Sequence, residues 1–273
     1  MLLCATSYCR VEPVGAWLRI VNVALVGFVA VVAVAFAVGA ILGFGSTILS
    51  VTFGAQWVPL QVLLPVLAPF NTLIGCFIVL RYRKSVKWRL LLLRVWPVAL
   101  VGLPLGMLVF NQEEGAWLKL AFGLFVTSLA VVQLARERMA SKKNELLPAL
   151  RPLPRTLFLF LGGFVHGIFQ TGGPMMVYVL GREVTDKDEF RSTVSMLFLP
   201  LGLALIFNYA RRGLYNAEAI GYMGWAGGAM LVALLAGEWL HRRIDNTRFR
   251  AAVWWALAFG GGVLFLRSCF APV

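Results

Sequence analysis

The stretch "GFVHGIFQTGGPMM" runs from Gly163 to Met176 inside a long apolar segment, and it carries four glycines, a proline, a histidine and a glutamine. Glycine weakens a helix through its backbone entropy, and proline weakens it because the ring removes an N–H donor. A smooth helix through these residues is therefore unfavourable. The stretch predicts an interruption of the helix. The composition of the rest of the chain indicates the function of that interruption.

The composition places that interruption in a membrane. Hydrophobic residues make up 60% of the 273-residue chain and charged residues 14%, and mean hydropathy is +0.83, whereas soluble domains are about half apolar and a quarter charged. We predict a single all-α polytopic membrane domain over residues 1–273. Its apolar segments, about eight in number and long enough for a bilayer core about 30 Å thick, are expected near 20–42, 58–80, 90–110, 116–134, 156–180, 192–210, 217–240 and 251–268.

The distribution of charge predicts the orientation. The net charge of +13 resides in short loops beside apolar segments, so we expect no nucleic-acid partner. The basic loops at Arg81–Arg89 and Ala135–Arg155 are predicted to be cytoplasmic by the positive-inside rule. The acidic loop at Glu183–Glu189 then faces outward if every segment crosses, but the same counting also places the basic loop His241–Arg250 outside. A glycine-rich segment that dips into the membrane and returns to its own side would remove this conflict.

The two halves of the chain repeat the same order of features. Each half has a glycine-rich stretch, then a span that opens with small polar residues, then a basic turn, then a span with small-residue spacing. The first half shows "GFGST", "APFNTLIG", "RYRK" and Gly102 with Gly106, and the second "QTGGP", "FRSTVSM", "ARRG" and Ala233 with Gly237. We predict repeat 1 at about 20–134, a cytoplasmic linker at about 135–155 and repeat 2 at about 156–268. Duplicated halves with interrupted helices are typical of transporters that bind their substrate between the repeats.

The order of "GFVHGIFQTGGPMMVYVL", a short loop and "FRSTVS" resembles the second half of TauE/SafE-type membrane proteins, and Gly39–Leu49 with Pro69–Gly75 resembles the first half. The resemblance implies a multi-pass protein of the cell membrane that exports small anions such as sulfite or organosulfonates. Gln170 stands where that family often has a glycine, so the substrate is the least transferable feature. Another small organic anion remains the alternative.

The residues themselves support an anion site. An interrupted helix exposes backbone N–H groups, and the following half-helix directs the positive end of its dipole at the break. Glycines there admit a ligand close to the backbone, and hydroxyl, amide and imidazole groups supply neutral donors. The predicted substrate-binding residues are Gly43, Gly45, Ser46, Thr47, Asn71, Thr72, His166, Gln170, Thr171, Gly172, Gly173, Ser192, Thr193 and Ser195. Helix packing is the competing explanation for the glycines, and helix capping for Ser192, Thr193 and Ser195.

Two other classes of function were weighed. An intramembrane hydrolase would use Ser46 as nucleophile and His166 as base, but no acid within the spans could orient the histidine, and duplication suits a translocation path better. A membrane scaffold is the second. The four cysteines form no C-x-x-C pair, so no metal or other cofactor and no catalytic residue is predicted. The expected partners are the lipid bilayer and a small anionic substrate, and a homo-oligomer stays open.

Overall fold

The computed structural model describes residues 23–42, 45–112, 116–140, 150–184, 186–241 and 246–270. These residues form helices and no strands. The main helices are α1 (Val23–Leu42), α2 (Ser46–Gly54), α3 (Leu60–Tyr82), α4 (Trp88–Leu90), α5 (Trp96–Gln112), α6 (Ala116–Ala140), α7 (Pro152–Phe169), α8 (Gly173–Leu180), α9 (Lys187–Arg211), α10 (Ala217–His241) and α11 (Asn246–Phe270). A π-helical segment at Leu91–Val95 joins α4 to α5.

Six helical stretches within the described residues are long and apolar enough to cross a bilayer, so the chain is a multi-pass membrane protein. They are Leu60–Arg81, Trp88–Asn111, Trp117–Ala135, Pro152–Phe169, Asp188–Arg211 and Val253–Phe270. Many of their large apolar side chains are exposed at the protein surface, as expected of helices that face lipid. Val26–Gly39 in α1 is a shorter apolar stretch.

The Gly163–Met176 segment divides between two helices, α7 and α8. Helix α7 ends because Gln170 adopts a left-handed conformation with φ 56°, and the N–H of Gln170 donates to the carbonyl of His166 at 2.8 Å. Helix α8 begins at Gly173, with Pro174 in the first turn, where its missing N–H costs nothing. The rings of Phe158 and Tyr178 lie 5.2 Å apart, so α8 runs back along α7.

A second interruption separates α1 from α2. Gly45 has φ 96°, a conformation that favours glycine, and α2 follows it directly. Gly39 near the end of α1 lies so close to Ser46 that an added Cβ would stand 2.7 Å from the Ser46 Cβ. The predicted residue Gly43 lies outside the described residues.

Three salt bridges place several helix ends on one side of the molecule. Lys87 Nζ lies 2.6 Å from Glu189 Oε1. Glu183 also forms ion pairs with Arg94, at 3.5 Å, and with Arg155, at 3.6 Å. We call this side the linker face, because α7 begins there after the 135–155 linker. Glu183 and Glu189 of the acidic loop therefore lie on the same side as Lys87 of the basic Arg81–Arg89 loop, as expected if the glycine-rich segment returns to its own side.

The opposite side, which we call the far face, holds the beginning of α3 and the end of α9. These two helices are antiparallel, since Gly75 lies beside the carbonyl of Ser195 and Thr72 beside Gly202. Helix α2 ends at Gly54, shortly before α3 begins, and the ring of Phe28 near the start of α1 lies 5.0 Å from that of Tyr222 near the start of α10. The α1–α2 pair thus begins and ends towards the far face, and the α7–α8 pair begins and ends at the linker face.

The helices associate chiefly in four pairs: α5 with α7, α1 with α10, α6 with α11 and α3 with α9. The first pair depends on glycine. A Cβ at Gly102 would overlap the carbonyl oxygen of Phe160, and a Cβ at Gly163 would overlap that of Ala99. Small residues let helix backbones approach closely in lipid, where van der Waals contact drives association. Gly163 of the opening stretch therefore serves helix packing.

Candidate functional site

A cavity of about 710 Å³ lies where the two interruptions meet. Its walls come from α1, α2, α3, α7, α8, α9 and α10. It extends towards the linker face, where Arg81 and Tyr82 of α3 and Arg191 of α9 line it. Towards the far face the space between the helices is filled by buried side chains, among them Leu63, Leu67, Leu201, Leu205 and Tyr209.

The cavity brings together most of the residues that the sequence predicted for a binding site. Those lining it are Gly45, Ser46, Thr47, Asn71, Thr72, His166, Gln170, Thr171, Gly173 and Ser195. Gly172, Ser192 and Thr193 are described but do not line it. The residues that come together derive from both halves of the chain and from two interruptions more than a hundred residues apart in sequence, so the fold creates their proximity.

Two helix beginnings face the cavity. Gly45, Ser46, Thr47 and Ile48 line it at the start of α2, and Gly173 and Pro174 line it at the start of α8. The first turn of a helix has backbone N–H groups without partners in the helix, and its dipole presents partial positive charge there. Both features favour an anion at this end of the cavity.

Several predicted donors are already engaged by the protein. Ser46 Oγ donates to Asn71 Oδ1 at 3.1 Å, and Asn71 Nδ2 donates to the carbonyl of Leu67 at 3.0 Å. Thr72 Oγ1 donates to the carbonyl of Ala68 at 2.9 Å. The first bond attaches the start of α2 to the middle of α3, and the other two lie within α3. Together they engage both hydroxyl protons and one of the two Asn71 Nδ2 protons. The side chains therefore position the site more than they supply donors to it.

Gln170 has a similar positioning role. Its Nε2 donates to the carbonyl of Leu64 at 2.6 Å, and it lies 3.2 Å from the Tyr209 hydroxyl. Both partners are towards the far face, so the amide fixes the α7–α8 turn against α3 and α9 and helps to fill the space beyond the cavity. Sequence analysis missed Tyr209 and Leu64. A backbone carbonyl carries no sequence signal, and only the tyrosine hydroxyl, within an apolar helix, could have suggested a buried partner.

Two buried polar atoms beside the start of α8 remain without a partner. His166 is 7% exposed and Thr171 is 2% exposed. Among the described residues, no group lies within hydrogen-bonding distance of His166 Nδ1 or Thr171 Oγ1. A buried polar group without a partner costs on the order of 1–3 kcal/mol, and such a cost is expected where a ligand completes the bond. Both residues line the cavity.

The three described residues outside the cavity have structural roles. A Cβ at Gly172 would overlap the carbonyl oxygen of Gly162 and stand 2.8 Å from the Cβ of His166. Ser192 Oγ donates to the carbonyl of Glu189 at 3.2 Å, and Thr193 Oγ1 accepts from the N–H of Lys87 at 3.1 Å. Gly172 permits the tight return of the chain, and the two hydroxyls fix the start of α9.

Comparison with known protein families gives one match. The family model described as "Sulfite exporter TauE/SafE" matches residues 28–264, a range that includes both interruptions and the whole cavity lining. Searches of curated proteins and of solved structures returned no match. The match covers most of the 273 residues, and the six apolar helical stretches agree with a multi-pass membrane protein. The chain therefore belongs to the sulfite exporter TauE/SafE family of membrane transporters.

Proposed function

We propose that the protein exports a small sulfur-containing anion, such as sulfite or an organosulfonate, across the cell membrane. The anion binds between two inverted repeats, at the beginnings of α2 and α8. The family match supports membrane anion transport. The positive-inside rule makes the linker face cytoplasmic, and the cavity extends towards that face, so an anion would load from the cytoplasm.

The pairing of helices supports two inverted repeats. The first contains α1–α2, α3, α5 and α6, and the second contains α7–α8, α9, α10 and α11. When each helix is exchanged for its counterpart, the α5–α7 pair becomes α10–α1, and the α3–α9 and α6–α11 pairs are unchanged. The interrupted helices begin at opposite faces, as inverted repeats require. In such transporters alternating access comes from movement of one part against another around a fixed midplane site.

The pair of unpartnered atoms, His166 Nδ1 and Thr171 Oγ1, is the observation that carries the binding proposal. They lie beside the start of α8, where the helix dipole and free N–H groups favour negative charge. A neutral histidine can donate from one ring nitrogen, and threonine donates from its hydroxyl. Neutral donors hold the oxyanion there without a buried cation. Its release therefore does not have to break an ion pair, as is favourable in a carrier.

A hydrolase is less well supported by the same contacts. Ser46 Oγ donates to Asn71, so the candidate nucleophile is directed at an amide and not at the candidate base. His166 packs against Phe198, with ring centroids 5.0 Å apart, and a phenyl ring cannot orient an imidazole as a carboxylate does.

Transport by Thr171→Ala in proteoliposomes tests the proposal, with Thr52→Ala as the matched control. Both threonines are buried and both hydroxyls lack a partner among the described residues, but only Thr171 lines the cavity. A hydrogen bond to a charged ligand contributes about 1.5–3 kcal/mol. Thr171→Ala should therefore raise the half-saturation concentration for sulfite or methanesulfonate by roughly ten- to a hundredfold, and Thr52→Ala should leave it unchanged.

Folding must be measured beside transport. Both variants should elute as monodisperse proteins with thermal unfolding close to that of the wild type. Equal half-saturation in wild type and Thr171→Ala would remove Thr171 from the site. Absence of sulfite and sulfonate flux in the folded wild-type protein would refute the proposed function itself.

A further inference from the structure

Much of the cavity wall is apolar and lies within the protein. Phe36 of α1, Ile78 of α3, Val194 of α9 and Met230 of α10 line the cavity, and each side chain is less than a tenth exposed. Phe198 of α9 also lines it, with its ring against His166. Four helices thus contribute an apolar surface that continues from the polar end of the cavity.

The polar and apolar parts are separated along the cavity. The helix beginnings, His166 and Thr171 form one end, level with Asn71 and Thr72 of α3. From Thr72 to Arg81 the helix rises about 13 Å, and the α3 residues that line the cavity between them are apolar or glycine. Ser195 of α9, beside Gly75, adds one polar residue to this otherwise apolar middle. Charge appears again only at Arg81 and at Arg191 of α9. The cavity therefore has a polar end, an apolar middle and a charged mouth.

A small inorganic oxyanion leaves this middle unexplained. Water occupies about 30 Å³ per molecule in the liquid, and a sulfite ion is only a few times larger than water, whereas the cavity measures about 710 Å³. Sites of about 300–1,000 Å³ with apolar walls and a few convergent polar groups bind organic molecules that bury most of their surface. Water against the apolar wall is unfavourable, and an apolar ligand surface would replace it.

The wall also continues towards lipid. Leu73 and Phe77 of α3 and Leu231 and Leu235 of α10 line the cavity, yet each is at least 60% exposed at the protein surface. The apolar middle therefore opens sideways between α3 and α10. A ligand with its head at the polar end could extend an apolar body along the wall or towards this opening.

We propose that the site takes an amphiphilic organic anion, with its sulfonate or similar oxyanion head at the starts of α2 and α8 and an apolar body of several carbons along the Phe36–Met230 wall. The proposal rests on the proposed function and narrows its substrate class. Inorganic sulfite shares the head-group chemistry but leaves the wall without a partner. The length of the ligand's apolar body therefore distinguishes an amphiphilic organic anion from inorganic sulfite.

A chain-length series tests the inference. Methane-, ethane-, butane- and hexanesulfonate are compared as inhibitors of labelled methanesulfonate flux in proteoliposomes, with protein-free liposomes to correct for partition into lipid. Burial of each methylene should lower the half-inhibitory concentration by about fourfold. The half-inhibitory concentration of butanesulfonate should therefore be lower than that of methanesulfonate by roughly fiftyfold. Equal inhibition by all four compounds, with flux intact, would overturn the inference and leave the proposed function standing.

Met230→Gln, with Met223→Gln as control, localises the effect. Both methionines lie on α10 and are largely or partly buried, but only Met230 lines the cavity. Glutamine keeps the unbranched shape and the helix propensity and adds a polar amide to the wall. Met230→Gln should raise the half-inhibitory concentration of butanesulfonate at least tenfold and change that of methanesulfonate less than twofold. Met223→Gln should change neither value. An equal loss of inhibition by both compounds in Met230→Gln would overturn the placement of the ligand's apolar body on this wall.

Failure of the two proposals gives different results. Flux of sulfite and methanesulfonate without chain-length dependence refutes the amphiphilic substrate alone. Absence of any flux or inhibition in folded protein refutes the anion transport on which it rests. Inhibition that increases with length in wild type and is lost selectively in Met230→Gln is the result that the inference predicts.

Discussion

At the scale of single residues, the glycines of the Gly163–Met176 stretch have different structural roles. The sequence showed that the chain needs small residues there, but not what approaches them, because that depends on the backbone on the opposite side. Gly163 lies against Ala99 of α5, and Gly172 lies against Gly162 of its own hairpin. Gly173 alone among these three lines the cavity.

Adjacent glycines provide a matched pair for a stability test. A Cβ at Gly172 would overlap the carbonyl oxygen of Gly162, whereas a Cβ at Gly173 would meet only the ring of Phe198, at 3.7 Å. Overpacking costs about 1–3 kcal/mol, so Gly172→Ala should lower the yield of folded protein and its thermal unfolding temperature in detergent. Gly173→Ala should unfold near the wild-type temperature. Equal stability of the two variants would show that Gly172 is not confined in this way.

At the scale of helices, the sequence predicted an interruption but left open whether the chain crosses or returns. Counting charges could not decide: the crossing arrangement leaves one basic loop on the wrong side and a returning segment removes that conflict, but the charges give no direct evidence of the return. Two contacts favour the return: Glu183 after α8 forms an ion pair with Arg155 near the start of α7, and Phe158 lies against Tyr178. With α8 returning, α10 runs from the far face and ends at His241 on the linker face, where α11 begins at Asn246.

Cysteine labelling in intact cells tests this return. In a variant without Cys4, Cys9, Cys76 and Cys269, new cysteines at Ser85 and Asp188 should both resist a membrane-impermeant reagent, because Lys87 and Glu189 beside them form a salt bridge on the linker face. A cysteine at Glu218, exposed at the start of α10 on the far face, should react. Reaction at Asp188 together with protection at Ser85 would mean that the α7–α8 segment crosses the membrane.

At the scale of the whole molecule, composition was sufficient for the class of fold, and the glycine pattern with its polar neighbours predicted the polar part of the cavity lining but not its apolar wall. Apolar length predicts membrane helices directly, and repeated motifs predict which residues correspond. The sequence could not predict that Gln170 bonds to Leu64 and Tyr209, or that Ser46 and Asn71 bond to each other. Those contacts join distant parts of the chain, and only the packed helices bring them within hydrogen-bonding distance.

One anion is proposed to bind where the two helix interruptions meet. Anomalous diffraction from crystals grown with selenite, a selenium analogue of sulfite, tests it most directly. We expect a strong selenium peak within hydrogen-bonding distance of Thr171 Oγ1 and the first N–H groups of α8, and its loss in Thr171→Ala crystals that otherwise superpose. A peak confined to Arg81 and Arg191 at the cavity mouth, with none beside Thr171, would contradict it.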